Sequence, residues 1–357
     1  MTATNQMLVF VSGYAAADQP GIHACRFDAA SGALTPYGAV SGIVNPSYLA
    51  LHPNGRWLYA VSETSMAGDK RYGEACAVRY ESEPFAAALL TQHSTQGDHP
   101  CHLMLDATGR WLVASNYSSG SVGVFPIGDD GALGPLTDFV QHEGSGAHPQ
   151  RQKAPHAHSA TVSPNDRFVI VADLGTDELL VYTLDPRQGR LGAHTHVAAR
   201  PGAGPRHMAF HPNGRVMYVA NELDSTVSVY DFDPATGGLS ERQFLSTLPA
   251  PDAANTVADI HVSPDGGRVY VSNRGHNSIA AFAADGDGSL SRVAIAPCGG
   301  EWPRCFALAP DGRFMLVANQ YSHEVVVLPL QPGGVEVGDV VGRAPVSGAS
   351  YVGFAPA

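Results

Sequence analysis

One phrase returns along this chain, and its spacing fixes what the chain can fold into. The clearest copy runs from Gly204 through Pro212-Asn213-Gly214 to Glu222 and on to Tyr230. It reads as apolar strand, tight turn, apolar strand, loop, apolar strand. The residue before each turn anchors a copy: Pro53, Ala107, Pro164, Pro212, Pro264, Pro310 and Pro356. Successive anchors are 54, 57, 48, 52, 46 and 46 residues apart. Repeats of that length have room for four short strands, as a propeller blade requires. The turns are Asn54-Gly55, Thr108-Gly109, Asn165-Asp166, Asn213-Gly214, Asp265-Gly266 and Asp311-Gly312, pairs that tolerate the positive φ of tight hairpins.

The seventh copy is split. Ser350–Pro356 supplies a first strand at one end of the chain. At the other end, Val9–Tyr14 aligns with the second strand and Gly21–Asp28 with the third. The expected fold is therefore all-β: one domain over residues 1–357, a seven-bladed β-propeller closed by pairing of N- and C-terminal strands in a shared blade. Such closure leaves no long open sheet edge.

Bulk properties narrow the partners. The formal net charge of -12 argues against nucleic acid and anionic membrane, which need a positive surface. No apolar run approaches the ~20 residues of a membrane span. Five cysteines, odd in number and without CxxC spacing, read as free thiols in a reducing compartment. With no basic leader before the Met7–Val11 strand, the expectation is a cytoplasmic protein, monomeric or weakly self-associating.

The copies agree in the strands and disagree at the rim. Six residues before each anchor stand Ser47, Cys101, His158, Arg206, Ala258, Arg304 and Ser350. Next come Tyr48, His102, Ser159, His207, Asp259, Cys305 and Tyr351. The second strands end on Glu63, Tyr117, Leu174, Glu222, Arg274, Gln320 and Tyr14. A hairpin returns both sets to one mouth of the channel. Arginines gathered with histidines in an acidic chain suit a carboxylate or phosphate ligand and a group that titrates near neutrality. An Arg206–Glu222 bridge that only braces a blade is the plainer alternative.

Other residues read as scaffold. His52 and His211 precede the turn prolines and read as structural. His261, at a position held by alanine in other copies, is either a packing variant or a polar group behind the site. His156 with His158 lacks a third ligand of convincing spacing, so no metal is expected. Gly202 and Gly204 precede no helix and do not form a phosphate loop. Cys101 beside His102 reads as a buried inert thiol. The longest loops are 64–75 and 142–154. The second carries Arg151 and Lys153 toward the site and reads either as a flank of the pocket or as solvated surface.

At these residues the chain resembles the seven-bladed propeller lactonases typified by the bacterial 6-phosphogluconolactonase of propeller type, a family that also includes carboxy-cis,cis-muconate cyclase. The resemblance rests on Pro155–Ser159, Gly202–Met208, Asn221-Glu222-Leu223, Ala258–His261, Asn273-Arg274 and Trp302-Pro303-Arg304. It implies a sugar lactone substrate, with 6-phosphogluconolactone a candidate, no cofactor, and a site at His158, Arg206, Glu222 and Arg274. His207, Arg304, Asp259, His102, Gln320, Tyr117 and Glu63 are expected to hold substrate.

Chemistry then assigns roles. Glu222 or His158 would activate water. Arg206 and Arg274 would stabilise the oxyanion. Arg304, His207 and Lys153 would grip a phosphate or hydroxyls. A cycloisomerase acting on a muconate-type diacid would use the same arginines without an attacking water, and a non-enzymatic scaffold would use none of them.

Overall fold

Each copy of the repeat is a four-stranded antiparallel sheet, and seven such sheets make the molecule. The computed structural model describes residues 6–66, 72–252, 254–331 and 337–356; residues 67–71 of the first long loop lie outside these. Blades are numbered here from the sheet that holds Leu49–Leu51 as its first strand. The first strands of blades 2 to 6 are Pro100–Leu105, Ala157–Val162, Pro205–Phe210, Thr256–Val262 and Pro303–Leu308.

Blade 7 has the split composition expected. Its first strand, Ala349–Phe354, pairs with the N-terminal strand Gln6–Gly13, which continues the sheet through Ile22–Asp28 and Leu34–Val40. The register sets Val9 against Phe354 and Val11 against Val352.

The turns carry the predicted backbone. Gly55, Gly109, Gly214, Gly266 and Gly312 have φ of 66, 68, 67, 76 and 71°. Asp166 takes the same place in blade 3 with φ 56°, a conformation aspartate tolerates better than most residues. His52 ties two turns together: its Nδ1 accepts from the Asn54 amide at 3.2 Å, so Nε2 donates to the Gly109 carbonyl at 3.1 Å. It is structural, as its place before Pro53 implies.

The core explains why the strands are apolar on both faces. It falls into seven hydrophobic clusters, each between two adjacent blades, including one between blades 6 and 7 and one between 7 and 1. Alternate residues of one strand feed alternate clusters. Val9 and Val11 pack toward blade 6, whereas Phe10 packs toward blade 1. Phe168, Ile170 and Ala172 face blade 4, while Val169 and Val171 face blade 2. A strand whose two sides are both buried must be apolar throughout, so polar residues collect at strand ends. That restriction is what concentrates the chemistry at the rim.

Candidate active site

Two local devices aim side chains into the channel. In blades 2 to 7 the pairing of first and second strands skips residues: Cys101, His158, Arg206, Ala258 with Asp259, Arg304 and Ser350. Each skip is a β-bulge, which bends the strand and breaks the two-residue alternation of side chains. Consecutive positions such as Cys101 and His102 therefore both line the channel instead of facing opposite ways. Second, a buried asparagine precedes Tyr117, Glu222, Arg274 and Gln320. Asn116 and Asn273 donate to the Thr95 and Thr247 carbonyls, just past the outer strands of the preceding blades, and Asn221 donates to Thr226 and Ser228. These bonds hold the strand ends from which the rim residues project.

Gly204 is required where it stands. Its φ is +65°, and a Cβ there would lie 2.5 Å from the Leu223 side chain. Its amide and that of Gly202 donate to Asp177 at 2.8 and 2.6 Å. These N–H groups are thus committed to a carboxylate of the protein, in keeping with the absence of a phosphate loop.

The rim pocket encloses about 190 Å³ and is walled by Glu63, Tyr117, Arg151, His158, Glu222, Arg274 and Arg304, with Cys101. Glu222 is its hub. Its Oε1 accepts from Arg151 Nη2 at 2.6 Å, and its Oε2 accepts from Arg206 Nε at 3.0 Å and Arg274 Nη2 at 2.8 Å. Burial favours its neutral form, but the three guanidiniums win and hold its pKa far below the usual carboxylate range. Glu63 accepts from the Tyr14 hydroxyl at 2.9 Å and from Ser47. Arg304 lies over the Tyr14 ring, 5.6 Å from its centroid, with no carboxylate within ion-pair distance among the described residues. Burial, with repulsion from Arg206 and Arg304, pulls Arg274 down to about 10 against the attraction of Glu222, so it stays charged.

His158 is 5 % exposed, and burial together with Arg206, His207, Arg304 and Arg274 lowers its pKa well below 6.5. It is a neutral imidazole at physiological pH. Cys101 donates to the His158 carbonyl oxygen at 3.2 Å, and burial pushes its thiol up to about 12. A thiol so protonated is no nucleophile.

The structure divides the expected site into two layers. His207, Asp259 and His102 line a second cavity of about 390 Å³, further along the channel, together with Tyr48 and His261. They do not touch the rim pocket. His207 Nδ1 pairs with Asp259 Oδ1 at 2.8 Å, and His261 Nε2 with Asp259 Oδ2 at 3.1 Å, so His261 is a polar group of this inner layer and not a packing variant. Arg206 is 2 % exposed and stands behind Glu222 and outside the pocket wall, its Nη1 donating to the Ala258 carbonyl at 2.6 Å. Gln320 lies outside the pocket wall as well, and its Oε1 is buried without a hydrogen-bond partner. Lys153 is exposed and lies outside the wall. His156 stacks on Tyr117 and bonds its carbonyl at 2.9 Å. Among the described residues, no three His, Cys, Asp or Glu side chains gather as a metal would need.

Arg151 is the wall residue that slot comparison could not assign. It sits in the 142–154 insertion, which has no counterpart in other blades. Its neighbour Gln152, 1 % exposed, anchors that loop through Leu174 O and Asp177 Oδ1 at 2.8 and 2.6 Å. The anchor delivers Arg151 to Glu222 and to the Tyr117 hydroxyl at 3.0 Å.

Residues 8–354 match the family described as "Lactonase, 7-bladed beta-propeller". The chain belongs to the seven-bladed β-propeller lactonase family. This lactonase is 33% identical to the 6-phosphogluconolactonase of Bacillus subtilis (strain 168) over 323 residues, 89% of each chain. It is 34% identical to the structure of the Pseudomonas aeruginosa periplasmic gluconolactonase PpgL, with a TM-score of 0.92 over 98% of this chain and 99% of the other. A putative 6-phosphogluconolactonase from Bacteroides fragilis NCTC 9343 superposes with a TM-score of 0.91 at 30% identity, over 99% of each chain.

Proposed function

We propose that this lactonase opens a six-carbon aldonolactone to its sugar acid in the rim pocket, and that 6-phosphogluconolactone is its substrate. The observation that carries the reading is the charge pattern of the wall. Three guanidiniums, from Arg151, Arg274 and Arg304, face two carboxylates, Glu63 and Glu222, and Arg206 adds a fourth positive charge behind Glu222. Among the described residues, Arg304 makes no ion-pair contact with a carboxylate, although Glu63 and Glu222 attract it from further off. Such a wall suits a ligand that brings negative charge, whether a phosphate or the carboxylate that forms.

His158 is the base in this reading. It is neutral, it lines the pocket, and neutral imidazole takes a proton from water as the oxygen attacks the lactone carbonyl. Glu222 is held too acidic to compete. It fixes Arg151 and Arg274 instead, and Oε1 keeps an acceptor position for a substrate hydroxyl or the water. Arg274, whose Nε is buried without a partner, stabilises the oxyanion. Collapse breaks the ring C–O bond, the departing alkoxide becomes a hydroxyl with the second proton of the attacking water, the acid is left as a carboxylate, and the first proton stays on His158. Arg206 acts through Glu222 and does not touch substrate. The five cysteines, all buried and none in a disulfide, support a reducing, cytoplasmic setting.

The test is acid release measured by pH-stat from 6-phosphogluconolactone and from gluconolactone, each corrected for spontaneous opening. A kcat/KM higher for the phosphorylated lactone is expected. Equal values would remove the phosphate from the proposal, and no release from either would remove the reading.

A further inference from the structure

Opening a lactone at neutral pH yields a carboxylate, a hydroxyl and one proton that must leave the enzyme at every turnover. The rim pocket is a poor place to hold it, because three guanidiniums face two carboxylates there and Arg206 lies just behind them. Behind His158 lies a set of groups that the reaction above does not use.

We propose that the proton leaves inward, from His158 to His207 and on to the Asp259–His261 pair, which delivers it to solvent through the second cavity. The proposal rests on His158 being the base. The His158 and His207 rings are 5.3 Å apart between centroids and inclined at 68°. No direct hydrogen bond joins the two rings, so in this proposal the first hop passes through one water beside their edge contact, and the 390 Å³ cavity takes over from His207 onward. His207 commits Nδ1 to Asp259, which leaves Nε2 for the exchange. Asp259 spans two imidazoles: Oδ1 accepts from His207 and the Ile260 amide, Oδ2 from His261 and the Phe306 amide at 3.2 Å. His261 completes the series, since its side chain is 39% exposed.

The surroundings of His207 fit this direction of travel. Arg206, from its own strand, repels a proton on it, as does His261, while Asp259 attracts one. His102 stands 5.3 Å away and His158 at the same distance, both disfavoured as cations by burial first and by neighbouring charge. Tyr48 packs edge-on at 6.1 Å, its hydroxyl kept neutral by burial. The route ends on the group that best holds a proton: His158 is kept well below 6.5, whereas at His261 the attraction of Asp259 outweighs burial and the pKa is raised. Each hop breaks one N–H or O–H bond and forms another, with no net redox change, and ends with the proton in bulk water.

The experiment compares wild type with His261→Asn and Asp259→Asn on gluconolactone, in weak buffer and with added imidazole. His261→Asn is expected to lower kcat on the order of tenfold in weak buffer with KM unchanged, and imidazole is expected to restore it, because a diffusible base replaces the missing relay. Asp259→Asn should lose more, with an acid-shifted pH profile if it folds; thermal melting of His261→Asn at the wild-type temperature keeps the test independent of folding. An unchanged kcat in weak buffer, or a loss that imidazole does not restore, overturns the relay alone. Absence of hydrolysis by the wild type overturns the catalytic reading and the relay with it.

Discussion

Arg206 and Glu222 are joined inside the protein: Arg206 Nε donates to Glu222 Oε2 at 3.0 Å while its Nη1 is bound to the Ala258 carbonyl. One planar fork thus links blade 4 to blade 5 behind the pocket. Lysine cannot make both bonds at once. Arg206→Lys should cost about 1–3 kcal/mol, the penalty of a buried acceptor left unsatisfied. Because Arg206 does not touch substrate, kcat/KM should fall through misplacement of Glu222. Urea melts and steady-state kinetics on one preparation check both.

Glu222→Gln removes the charge that three guanidiniums share. The variant should lose on the order of a hundredfold in kcat, since Arg151 and Arg274 lose their positioning. It should also melt earlier, because breaking a buried ionic cluster costs about 3–5 kcal/mol. A variant as active as wild type would show that the pocket is not the site.

Arg304→Ala separates the two candidate lactones. Among the described residues the guanidinium makes no ion-pair contact, and Glu63 and Glu222 keep their other hydrogen bonds when it is removed. KM for 6-phosphogluconolactone should rise ten- to a hundredfold, the worth of about 1.5–3 kcal/mol for a charged hydrogen bond. KM for gluconolactone should change little. An equal effect on both would place Arg304 at the carboxylate end.

Acid should destabilise this protein earlier than carboxylate titration would. His102, His158 and His207 are buried and neutral, with pKa values depressed from 6.5, for His207 to about 4. Below 6.5 the unfolded chain binds protons that the folded chain refuses. Their contribution is complete above pH 6.5 and is lost as pH falls toward 4, on the order of 3 kcal/mol for His207. His261, with a raised pKa, offsets part of this. Urea midpoints between pH 7.5 and 4 should decline over that window, and His207→Gln should flatten the decline.

Ring closure is testable at Phe10. This fully buried residue of the N-terminal strand packs on Tyr80 of blade 1, with ring centroids 4.8 Å apart. Phe10→Ala should cost about 3–5 kcal/mol. The folded fraction should retain wild-type kcat, as the rings Phe10 packs on, Tyr80 and Phe85, do not line the rim pocket; a loss of kcat without a loss of stability would contradict this.

The repeat determined the architecture before any coordinates, because periodic apolar strands flanked by Asn-Gly and Asp-Gly turns have few other ways to bury both faces. It also pointed to Glu222, Arg274 and His158, since a residue that breaks a repeat is conspicuous. Arg151 was out of reach of that reasoning: its loop occurs once, and only the buried Gln152 anchor, a tertiary contact, brings it to Glu222. The depth of each residue was equally hidden. Adjacent positions such as Cys101 and His102 differ by one place in sequence, yet a bulge turns both inward and sends them to different layers of the channel. Sequence determines which side chains approach the axis, because the strand repeat is local. Which of them meet each other, and which charge prevails, is decided by seven blades converging, because only then does desolvation set arginine, carboxylate and imidazole against one another.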